Sequence, residues 1–269
     1  MSREVYKTLV GIQGSVMGWD DPWHFRLCST YMRTGERKHF PSQDTKPEID
    51  EFLKLIKNMG VDFYLHQAMP EASEINNFID DISKHEIPYF LGNEYGNINK
   101  LNDGVSNRYD IPVACVDKAK ASSQFLGLFY DETEHLQLHP DIYSDNQPEE
   151  HKNLRPGHQW TATEGKSLEE IEKDLVNAVR ERIAEYGRDV ECYSEQVFPV
   201  MFHTLARGGM NPCPKVLKEE FQSVQMATAL GAAKQYKRNL GICVDLWGPD
   251  VGKWFTRLWG FPGHSPQEF

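Results

Sequence analysis

Phe125–His135, FLGLFYDETEH, is the stretch on which the reading of this chain turns. Its apolar run, Phe125, Leu126, Leu128, Phe129 and Tyr130, has the length and composition of a strand buried on both faces. The run stops abruptly at Asp131 and Glu132, with Glu134 and His135 close behind. Carboxylates directly after a buried strand stand where parallel α/β enzymes gather their chemistry, at the C-terminal strand ends.

The same grammar extends in both directions. Leu9–Gln13 reads as a first strand, followed by a loop of about thirty residues, long enough to signal function. Thr45-Lys-Pro47-Glu48 is a helix start, and Ile49, Phe52, Leu53 and Ile56 then form one apolar stripe. Val61–His66 is a second strand and Glu71–Glu86 a second helix, with Ile75, Phe78, Ile79 and Ile82 on one face. Pro88–Gly92 is the third strand, Val113–Ser123 a weak helix and Phe125–Tyr130 the fourth strand. Ser167-Leu-Glu-Glu170 is a capping box opening a helix with Ile171, Leu175, Val179, Ile183 and Tyr186 on one side. The pattern then predicts a fifth strand over Val197–Phe202, a helix over Pro214–Arg238 and a sixth strand over Leu240–Val244.

Strict alternation of strand and helix predicts a parallel sheet with helical crossovers. No Gly-rich phosphate turn follows the first strand, and polar and aromatic residues gather after nearly every strand. Both features favour an α/β (β/α)8 TIM-type barrel over a doubly wound sheet. About six βα units are visible where such a barrel has eight. Ser265-Pro266-Gln267-Glu268 has the form of a helix start at the very end of the chain. The expectation is therefore a single barrel domain over residues 1–269, truncated after about six units.

Composition narrows the partners. A net charge of −11 repels nucleic-acid backbones and anionic lipid, so neither is expected as a partner. No apolar stretch reaches the ~20 residues that span a bilayer. The N-terminal MSREVYKTLVG has no apolar core of a signal sequence. The five cysteines are odd in number and scattered, which favours reduced thiols and a cytoplasmic setting, although localisation stays open.

Paired carboxylates across a sugar ring are what glycosidic hydrolysis requires, one protonated to donate and one ionised as nucleophile or base. Glu132 or Asp131 is the expected general acid. The partner has to come from another strand; Asp245, after the sixth predicted strand, is the first choice, with Glu94 and Glu195 weaker. Glu134 and His203, the latter at the end of the fifth predicted strand, are placed to bind or orient hydroxyls. Trp19, Trp23 and Trp247 lie in loops, as do Trp160, Trp254 and Trp259. Flat aromatic faces there suit the apolar faces of sugars. Asp20 and His24, between and beside the first two tryptophans, would take sugar hydroxyls.

On LGLFYDETEH, on CVDLWG (243–248) and on the terminal GHSPQEF, the chain resembles bacterial glycoside-hydrolase-like (β/α)8 barrels. That resemblance implies hydrolysis of an oligo- or polysaccharide by a carboxylate general acid with a nucleophile or base, and requires no cofactor. The Asn-Glu pair common at the fourth strand end is replaced by Asp131-Glu132, and the DxxDxDxE pattern of chitinase-like barrels is not met. Two other classes stand beside it. One is a metal-dependent sugar isomerase or epimerase using Mg²⁺ or Mn²⁺; the other is a barrel that binds carbohydrate without turnover. No GxSxG elbow is present, which argues against acyl hydrolysis. Carbohydrate is the expected partner, and oligomeric state is not readable.

Overall fold

The alternation of apolar strands and striped helices folds into a parallel sheet in which strand order follows the chain. The structure is a computed structural model and describes residues 8–14, 49–68, 72–93, 111–134, 161, 163–216 and 222–244. Its elements are β1 (Gly11–Gly14), α1 (Ile49–Asn58), β2 (Phe63–Ala68), α2 (Ala72–Lys84), β3 (Tyr89–Asn93), α3 (Val113–Lys120) and β4 (Phe125–Tyr130), followed by α4 (Leu168–Tyr186), β5 (Cys192–Gln196), α5 (Phe202–Gly208), β6 (Asn211–Val216), α6 (Gln222–Tyr236) and β7 (Cys243–Val244). The seven strands pair in the order β1 to β7, all parallel, and curl into an incomplete barrel of the TIM type.

The helices form where their stripes predict. Ile75, Phe78, Ile79 and Ile82 of α2 and Leu53 and Ile56 of α1 are buried against the outer face of the sheet, where Tyr64, Tyr89, Leu91, Leu128 and Tyr130 meet them. The capping box of α4 is realised in full: Ser167 Oγ accepts from Glu170 N and Glu170 Oε2 accepts from Ser167 N at 2.8 Å. The inner face has its own small core of Leu65, Phe90, Phe129 and Cys213, joined by Phe63, Leu126, Tyr193 and Cys243. Phe129 stacks on Tyr193 with ring centres 4.6 Å apart, and Phe90 meets Phe129 edge-on at 4.9 Å. The Cys243 thiol donates to Gln13 Oε1 at 3.5 Å, so side chains of the last and first strands meet. At the N-terminal strand ends Glu191 Oε2 accepts from Asn211 at 2.5 Å and from Asn239 at 3.3 Å, a polar tie on the stability face of the barrel.

Two predicted elements are corrected. The fifth strand is Cys192–Gln196, not Val197–Phe202. Val197 and Phe198 spend their N–H groups on the Glu134 carboxyl, Pro199 has none to give, and Phe198 and Val200 are exposed, so a ladder cannot continue there. The second correction adds a strand: Asn211–Val216 is β6, in part within the predicted helix, which starts only at Gln222. Pro212 and Pro214 make NPCPKV a poor strand by propensity. It is tolerated because Pro212 uses its carbonyl, which accepts from Gly241 N. The predicted sixth strand is therefore the seventh.

One irregularity aims the site. Tyr89 pairs with Phe125 but Phe90 pairs with Gly127, so Leu126 is an extra residue, a β-bulge in β4. Phe125 and Leu128, three residues apart, accordingly both face the helices, while Leu126 and Phe129 face the interior. Without the bulge, strict alternation from Phe125 would send Asp131 outward. Gly127 makes it possible: its φ is +142°, and a Cβ there would lie 2.2 Å from the Glu191 carbonyl oxygen. Gly127→Ala is expected to cost about 2 kcal/mol or more, read by urea unfolding, through overpacking and backbone strain. A variant as stable as the parent would refute this account of the bulge.

Candidate active site

Three neighbouring strands deliver their C-terminal ends to one buried cluster of charges. On β5 the alternation puts Tyr193 and Glu195 inside; on β6 it puts Cys213 and Lys215 inside. From the exit of β4, past the bulge, comes Asp131. Lys215 Nζ donates to Asp131 Oδ1 at 2.7 Å and to Glu132 Oε1 at 3.0 Å, and lies 3.9 Å from Glu195 Oε1. All four side chains are less than one-tenth exposed. The stacked pair Phe129 and Tyr193 stands two residues before Asp131 and Glu195 in the chain, on the same inner face. Glu132 holds a left-handed backbone conformation, φ +44°, which a β-carbon disfavours. Backbone in that region is concentrated at functional sites, where surrounding contacts hold it in place.

Glu134 is in a different environment from Asp131, three residues away. It is fully buried, and its Oε1 accepts from Val197 N at 2.5 Å and Phe198 N at 2.9 Å. Its Oε2 makes no hydrogen bond to a described residue. Burial pushes this carboxyl up to about 8; the Phe198 and Val197 amides pull the other way without offsetting it, and the Glu132 charge adds to the rise. Asp131, by contrast, has an ammonium in contact, which favours its anion. Thr133 Oγ1 and Ser194 Oγ share a short hydrogen bond that ties the β4 exit to β5.

The Glu134 shift makes a stability prediction. An ordinary glutamate has a value of 4.5 and the folded group about 8, so the fold binds a proton that the unfolded chain has released between those values. The linked stability is fully present below about 4.5 and declines as the pH rises towards 8. Glu134→Gln cannot ionise, so its stability relative to the parent is expected to improve steadily from pH 5 to pH 8. Urea midpoints across that range measure it, and a pH-independent difference would be the contrary result.

The remaining candidates separate clearly. Asp131, Glu132 and Glu134 are brought together, and Glu195, a weaker candidate by sequence, joins the cluster. His203 is not at a strand end: it lies on α5, with its ring edge-on to Tyr236 of α6 at 6.1 Å and next to Gly231. That places it in the helical layer. Trp19, Asp20, Trp23, His24, Glu94, Asp245 and Trp247 lie outside the described residues. Lys215 is not among the residues the sequence points to, because it falls in the predicted helix over Pro214–Arg238; the alternation of NPCPKV, with Cys213 and Lys215 on one face, is the signal that marks it. His66 on β2 stacks on Phe78 at 3.7 Å, facing the helices, and burial holds its imidazole down at about 3, so it is a neutral core group.

Among the described residues no three His, Cys, Asp or Glu side chains converge as a metal site. The cation between these carboxylates is the Lys215 ammonium. Cys115, Cys192, Cys213 and Cys243 form no disulfide with one another. Among the described residues no helix is long and apolar enough to cross a membrane.

No family model and no curated protein sequence matches the chain. Among solved structures it is similar to a cube-shaped, highly porous protein cage designed by fusing symmetric oligomeric domains. That match has 9% identity and a TM-score of 0.37, over 70% of this chain and 50% of that one. The chain thus spans half the length of the cage chain. It is also similar to the β-mannanase of Thermomonospora fusca, in complex with mannohexaose (9% identity, TM-score 0.31, 89% of this chain and 78% of that one) and with mannotriose (9%, 0.32, 87% and 77%).

Proposed function

We propose that the chain is a glycoside hydrolase acting on a neutral oligosaccharide or polysaccharide, with Asp131 as the ionised carboxylate and Glu134 as the proton donor. The observation that carries the reading is the opposite surroundings of these two carboxyls at one strand end. Lys215 lies 2.7 Å from Asp131, while Glu134 is buried and pushed up to about 8. Carboxyl groups whose environments separate their proton affinities divide into an acid and a base, and glycosidic hydrolysis needs one of each. The sequence points to Asp131 or Glu132 as the acid; the ammonium 2.7 Å from Asp131 argues that Asp131 is the ionised group instead. Asp245, which follows β7 directly, remains the alternative ionised partner.

The test is turnover of a panel of glycans and aryl glycosides by the wild-type chain and by Glu134→Gln. The amide variant is expected to lose about 10²–10⁴-fold on natural glycans, the usual worth of a positioned acid. It should retain most activity on aryl glycosides whose acidic phenols leave without a proton. No turnover by the wild-type chain on any member of the panel would sink the reading.

A further inference from the structure

We infer that Lys215 is a positioning residue that orders the charges of the site, holding Asp131 as the anion across a span of three strands. The inference rests on the glycosidase reading for its catalytic meaning and on geometry for its substance. Lys215 rises from β6, and its ammonium reaches both residues at the β4 exit, at 2.7 and 3.0 Å, as well as Glu195 on β5 at 3.9 Å. The distances are graded, and the shortest goes to the group that the bulge has turned inward. Each contact is buried, so the pairing is weakly screened by solvent and salt.

Three carboxylates crowded into one dry volume cannot all stay ionised without a cation between them. Among the described residues the cation in contact with them is Lys215. Among the described residues two thiols also stand beside it, Cys213 on the same face of β6 and Cys243 opposite it in register on β7. Burial pushes both thiols up, so they remain neutral and add no competing charge. An ammonium on a flexible stem, with three donors, can satisfy Asp131, Glu132 and Glu195 together. The role is to hold one carboxylate ionised and pointed while the reacting sugar is in place; Lys215 itself needs no contact with the substrate.

The experiment is a carboxyl ¹³C NMR titration of Asp131 in the full chain, in wild type, Lys215→Met and Lys215→Arg. In wild type the midpoint is expected below the ordinary aspartate value near 3.9. It should rise at least tenfold in proton affinity in Lys215→Met and stay close to wild type in Lys215→Arg. If Lys215→Met does not fold, Glu132→Gln serves instead: with one competitor removed, Lys215 should hold Asp131 more firmly and its midpoint should fall further. A wild-type midpoint at or above the ordinary value overturns the inference, as does a midpoint indifferent to both substitutions. The expected titration without glycan turnover would defeat the glycosidase reading and leave the charge-ordering role intact. Turnover with an indifferent midpoint would do the opposite.

Discussion

Asp131→Asn is expected to lower kcat/KM on any glycan that the wild-type chain cleaves by on the order of 10³-fold, within the usual range for a lost acid–base group. The substitution keeps the volume and removes the charge. Lys215 retains Glu132 at 3.0 Å and Glu195 at 3.9 Å, so the ammonium is not left alone and the fold should persist. The loss therefore reports chemistry rather than unfolding, which circular dichroism and a urea titration of the same sample would verify. If Asp131 is the anion and Glu134 the donor, the two amide variants differ in kind. Glu134→Gln recovers on substrates with good leaving groups; Asp131→Asn does not, because the missing group acts on the sugar itself. Activity within a few-fold of wild type in Asp131→Asn would remove Asp131 from the mechanism.

Lys215→Met is expected to cost about 3–5 kcal/mol of folding stability, the range found when one partner of a buried ion pair is deleted. Methionine fills the space of the stem but leaves Asp131, Glu132 and Glu195 without their shared cation. The penalty should shrink as the pH is lowered and the carboxylates take up protons, a pattern a simple packing defect would not give. Adding Asp131→Asn to Lys215→Met should recover part of the loss, since one uncompensated charge has gone. Urea unfolding of the two single variants and the double variant closes the cycle. A Lys215→Met chain within about 1 kcal/mol of wild type would mean the cluster is solvated enough to stand without it.

Much of this was legible in the sequence, for a specific reason in each case. The stripe Ile75, Phe78, Ile79 and Ile82 could be read because a helix repeats every 3.6 residues and only one face of α2 is buried. The capping box at Ser167–Glu170 depends on groups three residues apart, so it too is written locally. The run FLGLFY and its acidic end were likewise local. β5 lies before its predicted span and β6 is an additional strand partly within a predicted helix, because their local signals conflict with their tertiary roles. VFPVMF looks like a strand by composition, yet its first two amides are claimed by Glu134, more than sixty residues earlier in the chain. NPCPKV, whose second half falls in the predicted helix over Pro214–Arg238, is a strand because β5 and β7 pair with it on both sides.

The alternation of strands and helices, the parallel sheet and the carboxylates at the end of β4 are all written in the sequence. Those properties follow from hydrophobic periodicity and chain order, which need no distant partner. Which way Asp131 faces and which cation meets it depend on strand pairing across the sheet. Facing is cumulative along a strand, so the single extra residue at Leu126 inverts everything after it, and only the pairing with β3 reveals that residue. The cation is decided by an ion pair between residues 84 positions apart, which forms only when β4, β5 and β6 bring their ends to one buried volume.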